Sequence, residues 1–205
     1  MGQVQDPTRA SLLLRLKEGG PSREVAWTEF YRAYAPVIAG FARRMGVRQD
    51  QVDDLVQDVM KGFFSAAPEF EYSPARGRFR GYLKTCVCHK LQAMNRAGRA
   101  RLPVKGSADP AALPEAEQPA VEMIWQDVWE TQKLRRAVEV VRQRYAVNES
   151  RRRTFRAFEM HVQLDRPVDQ VARELGMSTE SVRAAKTRVS RSVREAFDSL
   201  EEFDD

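Results

Sequence analysis

The chain has 205 residues, of which 42% are apolar and 31% charged, and its formal net charge at pH 7 is +5. This length predicts one or two compact domains. The richest apolar stretch, Leu12–Leu14, is cut by Arg15 and Lys17, so it is far too short for a membrane span or for the apolar region of a signal peptide. Two cysteines, Cys86 and Cys88, exclude a disulfide-rich secreted scaffold, and a reducing cytoplasm is the predicted compartment.

Charge is strongly segregated along the chain. Residues 49–60 have only acidic charges, residues 72–108 only basic ones and residues 109–132 only acidic ones, and the chain is basic again from Lys133. A long basic segment is typical of a chain that binds a polyanion, because each phosphate neutralised by Lys or Arg releases condensed counterions. The segregation predicts nucleic acid as a partner, with a merely solvated cationic face as the alternative for each basic segment.

Apolar residues recur three and four positions apart, β-branched alternation is scarce and hairpin signals are absent, which predicts an all-α protein. A first short helix is predicted between Asp6-Pro7 and Gly19-Gly20. Ser22 is predicted to cap a second helix that runs to about residue 34. Pro36 is predicted to open or kink a third helix, which ends at Gly46.

The fourth predicted helix is the clearest, because its apolar residues keep the i, i+3, i+4, i+7 spacing over several turns. These residues are Val52, Leu55, Val56, Val59, Met60, Phe63 and Phe64. Its polar face is formed by Asp54, Gln57, Asp58 and Lys61. A loop follows, and a fifth helix is predicted from about Phe79 to Ala97.

A linker is predicted in the middle of the chain. Residues 99–119 contain Pro103, Pro110, Pro114 and Pro119 and little apolar periodicity. Helical spacing restarts at Val121. The sequence therefore predicts a helical domain over residues 1–98, a flexible linker over residues 99–120 and a second helical domain over residues 121–205.

Residues 167–192 have the order of residue types of a helix-turn-helix. Val171, Leu175, Val182 and Val189 supply a shared core, Ala172 is small where the helices cross, Gly176 suits a left-handed turn and Ser178 caps the second helix. The exposed surface of that helix is predicted to include Thr179, Ser181, Arg183, Lys186, Arg188 and Arg191. Such a helix enters the major groove of duplex DNA. The alternative is an ordinary helix hairpin with a solvated basic face.

These features together resemble the extracytoplasmic-function sigma factors of bacterial RNA polymerase. Residues 53–59, Asp-Asp-Leu-Val-Gln-Asp-Val, are similar to the acidic signature of that family, and residues 76–83, Arg-Gly-Arg-Phe-Arg-Gly-Tyr-Leu, follow at the family's distance. The family's upstream aromatic positions are matched by Trp27, Phe30, Tyr31, Tyr34 and Pro36. The resemblance covers about residues 10–98 and 121–198.

The resemblance implies three surfaces on an all-α, two-domain fold. The first binds core RNA polymerase and consists of Asp54, Gln57 and Asp58. The second binds and melts the −10 promoter element and consists of Arg76, Arg78, Phe79, Arg80, Tyr82, Lys84, His89 and Lys90. The third reads the −35 element through the six exposed residues of the helix-turn-helix. Phe79 is also spaced as a core residue. Tyr82 stands where the family usually has tryptophan, and Cys88-His89 stands where it usually has arginine-asparagine. These departures leave open which base is recognised at the −10 element.

The resemblance also implies core RNA polymerase and promoter DNA as partners, an anti-sigma factor as a candidate third partner, and no cofactor, metal, membrane or small-molecule substrate. Cys86, Cys88 and His89 do not complete a tetrahedral metal site, and no phosphate loop or nucleophile motif predicts an enzyme. Three alternatives remain: a dimeric helix-turn-helix repressor, an adaptor that never binds promoter DNA, and a redox-sensing thiol.

Overall fold

The structure is a computed structural model that describes residues 9–18, 20–69, 79–96 and 118–201, and all regular elements in these ranges are helical, which confirms the predicted all-α fold. The helices are α1 (Arg9–Lys17), α2 (Pro21–Arg44), α3 (Gln49–Ala66), α4 (Phe79–Arg96), α5 (Gln118–Tyr145), α6 (Glu149–Phe158), a π-helical turn (Glu159–Gln163), α7 (Val168–Leu175) and α8 (Thr179–Glu201). None of these described helices is long and apolar enough to cross a membrane. Packing divides the chain into unit 1, up to Gln132, and unit 2, from Lys133.

Helix α2 is one continuous helix where the sequence predicts two. Its N-cap is Gly20, at φ 78°, and Pro21 occupies the first turn, so the predicted cap at Ser22 is wrong. The predicted start of a separate helix at Pro36 is also wrong, because Pro36 lies inside α2. A proline in a helix interior costs about 3 kcal/mol, but each large apolar side chain that the continuous helix buries contributes about 1.5–3 kcal/mol. Helix α2 buries several of them beyond Pro36, including Ile38 and Phe41.

An aromatic cluster joins α2, α3 and α4 in unit 1. The ring of Phe30 lies 4.5 Å from Tyr34 and 4.6 Å from Phe63, between ring centroids. Phe79, the first residue of α4, packs on the same rings. The predicted apolar face of α3 is buried except for Phe64, which is 39% exposed and packs at the edge of the cluster. Aromatic packing thus fixes the position of α4 against α3.

The first part of α5, up to Gln132, belongs to the core of unit 1. Trp125 packs edge-on against Phe41 at 5.0 Å between centroids, and Trp129 lies 6.1 Å from Tyr34. Gly40 makes this approach close, because a Cβ added there would lie 3.0 Å from Val128 Cγ1. The sequence assigns these residues to a domain that starts at Val121, whereas the division by packing falls within α5. Most of the predicted linker, residues 99–117, lies outside the described residues.

Unit 2 packs α6, α7 and α8 around a small apolar core. Its residues are Ala157, Met160, Val171, Ala172, Val182 and Ala185. Gly176 ends α7 in the left-handed conformation, at φ 59°, and Met177 N–H donates to Ala172 O at 2.9 Å. Ser178 Oγ accepts a hydrogen bond from the amide of Ser181 at 3.1 Å. The predicted left-handed glycine and the predicted serine cap are therefore both confirmed.

Candidate functional site

The acidic face of α3 is formed by Asp54, Gln57 and Asp58, and all three side chains are exposed, as predicted. The neighbouring positions Leu55 and Val59 are buried, which turns the acidic positions outward. Asp54 and Asp58 stand one turn apart, where like charges repel. The nearest cations are at the edge of this face: Lys90 of α4 lies 3.9 Å from the Asp58 carboxylate. The face therefore has clustered negative charge, which Lys90 partly balances at Asp58.

Four of the predicted −10 residues on α4 lie on opposite sides of the helix. Tyr82 and His89 are seven residues apart, point the same way and are exposed. Arg80 and Lys84 are four residues apart on the other side and are both partly buried. Lys90, another residue of the predicted set, is also exposed. Two further predicted residues, Arg76 and Arg78, lie outside the described residues.

The Arg80 and Lys84 side of α4 is covered by the first part of α5. The ammonium of Lys84 forms an ion pair with the Glu122 carboxylate, and the guanidinium of Arg80 donates to the side-chain oxygen of Gln126. Arg80 also lies over the Trp129 ring, 5.2 Å from its centroid. Acidic and polar groups of α5 thus occupy the positions that a phosphate would take at these two cations.

Phe79 is a core residue, which is one of the two interpretations that the sequence allows. Its side chain is only 6% exposed. The rings of Tyr34, Phe63 and Phe30 surround it at 5.2, 5.5 and 5.8 Å between centroids. A ring enclosed in this way has no free face for an unstacked base, so we leave Phe79 out of the nucleic-acid surface as a correction to the sequence-based site.

Tyr82 is the aromatic side chain of α4 that remains accessible, at 36% exposure. Partial burial raises the pKa of its phenol to about 12, and Cys86, one turn along the helix, adds to the shift. The phenol is therefore protonated at neutral pH and able to donate a hydrogen bond. A partly exposed ring of this kind can stack on a base.

The two thiols of α4 are free, Cys86 half-buried and Cys88 buried. Burial raises the pKa of Cys88 to about 11 and also raises the pKa of Cys86. Reactive thiols need a lowered pKa, so both side chains are poor nucleophiles at neutral pH. This opposes the redox-sensor interpretation. In the described part of the chain, no group of His, Cys, Asp or Glu side chains is arranged to hold a metal ion.

The basic surface of α8 is formed by Arg183, Lys186, Arg188 and Arg191, and all four side chains are exposed. The opposite side of α8 is buried through Val182, Ala185 and Val189. Within the described ranges none of the four cations forms an ion pair with a carboxylate, in contrast to Arg152 of α6, which pairs with Glu149 at 2.8 Å. Thr179 and Ser181 stand in the first turn, half-buried. The helix therefore offers free positive charge along one face.

The contact of Glu122 and Gln126 with α4 is absent from the sequence-based site. A signal for it does exist, because residues 72–108 have only basic charges and residues 109–132 only acidic ones. Complementary segments in one chain can bind each other as well as outside partners. Gly40, in the middle of a long helix, is a second signal, since glycine is unfavourable there unless close packing requires it.

Comparison with known proteins gives one assignment. No curated protein matches the chain. Among solved structures, a chain of CnrH in complex with the cytosolic domain of CnrY is similar, at 16% identity over 92% of this chain and 96% of the solved one, with a TM-score of 0.36. Residues 30–100, which include α3 and α4, match the family model for sigma-70 region 2. The match confirms the resemblance to sigma factors over this segment. Over residues 30–100 the chain is thus similar to sigma-70 region 2, a region of the sigma factors.

Proposed function

We propose that this chain is a sigma factor of the extracytoplasmic-function type, which binds core RNA polymerase in the cytoplasm and directs it to promoters. The observation that supports this proposal most strongly is the sigma-70 region 2 match over residues 30–100, which includes the acidic face of α3. Asp54, Gln57 and Asp58 are the residues that contact the polymerase in this proposal. Their exposure and their mutual repulsion both favour a cationic partner.

The outward side of α4 is the proposed −10 surface. Tyr82 stacks on an unpaired base of the melted strand, while His89 and Lys90 lie beside the sugar-phosphate backbone. Arg76 and Arg78 join them on the strength of the sequence alone. Arg80 and Lys84 also belong to this surface, and their contacts with Gln126 and Glu122 of α5 compete with phosphates for them. Strand opening breaks no covalent bond and hence needs no cofactor. The chain contributes only binding energy and the positioning of the DNA strands.

Helix α8 is the proposed reader of the −35 element as duplex DNA. Thr179 and Ser181, in its first turn, are placed to meet base edges in the major groove. Arg183, Lys186, Arg188 and Arg191 then contact bases or phosphates. Because two DNA-binding surfaces on one chain raise each other's effective concentration, modest affinity at each element is sufficient for promoter selection.

The test is binding of the labelled full chain to purified bacterial core RNA polymerase. Reversing charge on the acidic face, with Asp54→Lys and Asp58→Lys together, should reduce the affinity at least tenfold. A matched control reverses two exposed carboxylates of unit 1 outside that face, Glu24→Lys and Glu69→Lys, and should bind as the wild type does. Equal affinity for all three proteins would remove the acidic face from the interface. No binding by the wild type, where another sigma factor binds, would favour the repressor alternative.

A further inference from the structure

The first part of α5, residues 118–132, is here called the docking segment. It contains three acidic residues, Glu122, Asp127 and Glu130, and no basic residue. In unit 1 it lies against α2 and α4, where its polar groups meet cations. Besides the contacts to Lys84 and Arg80, Asp127 forms an ion pair with Arg44 of α2. The segment thus brings negative charge to a basic surface of its own chain.

The docking segment is held by apolar packing as well as by charge. Trp125 is 1% exposed and Trp129 is 3% exposed, and both are part of the unit 1 core. The close approach of Val128 to Gly40 adds a contact that a larger residue at position 40 would hinder. Two buried indoles indicate a stable bound position, because burying an aromatic side chain contributes about 1.5–3 kcal/mol.

The polar contacts of the segment fall on two residues of the proposed −10 surface. Glu122 forms an ion pair with Lys84, and Gln126 Oε1 accepts a hydrogen bond from the guanidinium of Arg80. A phosphate and a carboxylate compete for the same ammonium, since both are oxygen anions that accept its hydrogen bonds. Single-stranded DNA therefore gains these two cations only after the segment has moved away from α4.

We propose that the docking segment is a built-in competitor of nucleic acid: its Glu122 and Gln126 occupy the Arg80 and Lys84 side of α4 in the free chain and lower its affinity for single-stranded DNA. The inference rests on the proposed −10 function of α4 and adds a regulatory step to it. The free chain is thereby kept off non-specific DNA, and the full −10 surface forms only when α5 leaves α4.

The first experiment measures the affinity of the full chain for a fluorescein-labelled, single-stranded DNA pool of random sequence, at one low salt concentration. The variant Glu122→Ala with Gln126→Ala removes the polar contacts and leaves both indoles in place. The control is Glu139→Ala with Gln143→Ala, another Glu and Gln pair four residues apart on α5 and outside the docking segment. Exposed ion pairs contribute about 0.2–1 kcal/mol, so we expect the variant to bind about 1.4- to 5-fold more tightly than the control.

Adding Lys84→Ala to the variant should abolish this gain. Equal affinity of variant and control would overturn the inference. Because Glu122 already occupies Lys84 in the free chain, Lys84→Ala alone should change the affinity less than it does in the variant, and an equal loss in both backgrounds would also overturn the inference. Absence of binding by every protein would overturn both proposals.

A second readout follows the segment itself. The chain has three tryptophans, so Trp27→Phe leaves only Trp125 and Trp129, both in the docking segment. If DNA displaces the segment, the emission of this protein should shift to longer wavelength as the indoles become hydrated. Emission that stays unchanged at saturating DNA would overturn the inference.

Discussion

Two aromatic residues at the start of α4 have different surroundings. Phe79 is a core residue, and Tyr82 is the proposed stacking residue. Phe79 is enclosed by three rings and is 6% exposed, whereas Tyr82, one turn later, packs on Phe63 and Phe79 and is 36% exposed. The sequence allows both to be core or both to be stacking residues, because helical spacing is the same for either task. Only the positions of α2 and α3 decide between the two residues.

The thiols of α4 give a test at single residues. A thiol with a pKa of about 11 has roughly a hundredfold less thiolate at pH 8 than one with the ordinary value of 9.0. In a Cys86→Ser protein we therefore expect Cys88 to react with a thiol reagent about a hundredfold more slowly than the same protein in denaturant. The rate should rise with pH up to about 11. Fast native reaction at pH 8 would contradict the burial of this side chain.

Two serines show why one cap can be predicted from sequence and the other cannot. Ser178 follows a left-handed glycine that ends α7, so the next helix has to begin there. Ser22 follows Pro21, which itself occupies the first turn, and α2 begins at Gly20 without a side-chain cap bond. Proline in the first turn is a stronger start signal than a serine behind it.

The cap at Ser178 should contribute measurably to the stability of unit 2. Ser178→Ala removes the bond to the Ser181 amide and should lower the free energy of unfolding by about 1 kcal/mol. Ser190→Ala is the control, since Ser190 is exposed in the middle of α8, where alanine favours the helix. Urea unfolding monitored by circular dichroism compares the two. Equal stability of the two variants would show that the cap is energetically unimportant.

At the scale of elements, α5 is where the sequence pattern and the packing divide the chain at different residues. The helical spacing of Val121, Trp125 and Val128 correctly indicates a buried face, but spacing does not identify which core buries it. The prolines of residues 99–119 favour a boundary before α5, whereas Trp125 and Trp129 fill a gap beside Phe41 and Tyr34 in unit 1. The helices α3, α4, α7 and α8 are predicted well because their limits depend on local signals.

A substitution in α5 tests this assignment. Trp125→Ala should destabilise unit 1 by about 3–5 kcal/mol, since it leaves a large cavity beside Phe41. Amide hydrogen exchange should accelerate in α2 and α4 and stay unchanged in α7 and α8. The reverse pattern, with faster exchange only in unit 2, would place the start of α5 in the second core.

At the scale of the molecule, the net charge of +5 conceals separate acidic and basic surfaces with separate proposed partners. The order of an acidic helix, a basic aromatic segment and a terminal basic helix carries the resemblance to sigma factors, and the match to sigma-70 region 2 over residues 30–100 covers the first two of these features. The complementary charges of residues 72–108 and 109–132 are a signal for the contact of α5 with α4, but they do not identify which side chains pair. The pairing depends on three-dimensional proximity of segments about forty residues apart.

The salt dependence of binding to promoter duplex tests the basic surface of α8. If Arg183 contacts a phosphate, Arg183→Ala should lower the slope of log affinity against log salt by about 0.9. Arg152→Ala, which removes a cation already paired with Glu149, should leave the slope unchanged. The same slope in both variants would remove Arg183 from the phosphate contacts.

Transcription from purified components tests the central proposal most directly. Core RNA polymerase is incubated with genomic DNA of the source organism, with and without the full chain, and the 5′ ends of the transcripts are sequenced. We expect a set of starts that appears only with the chain and shares two upstream motifs, one for each DNA-binding surface. Identical starts with and without the chain, under conditions in which another sigma factor supports initiation, would contradict its assignment as a sigma factor.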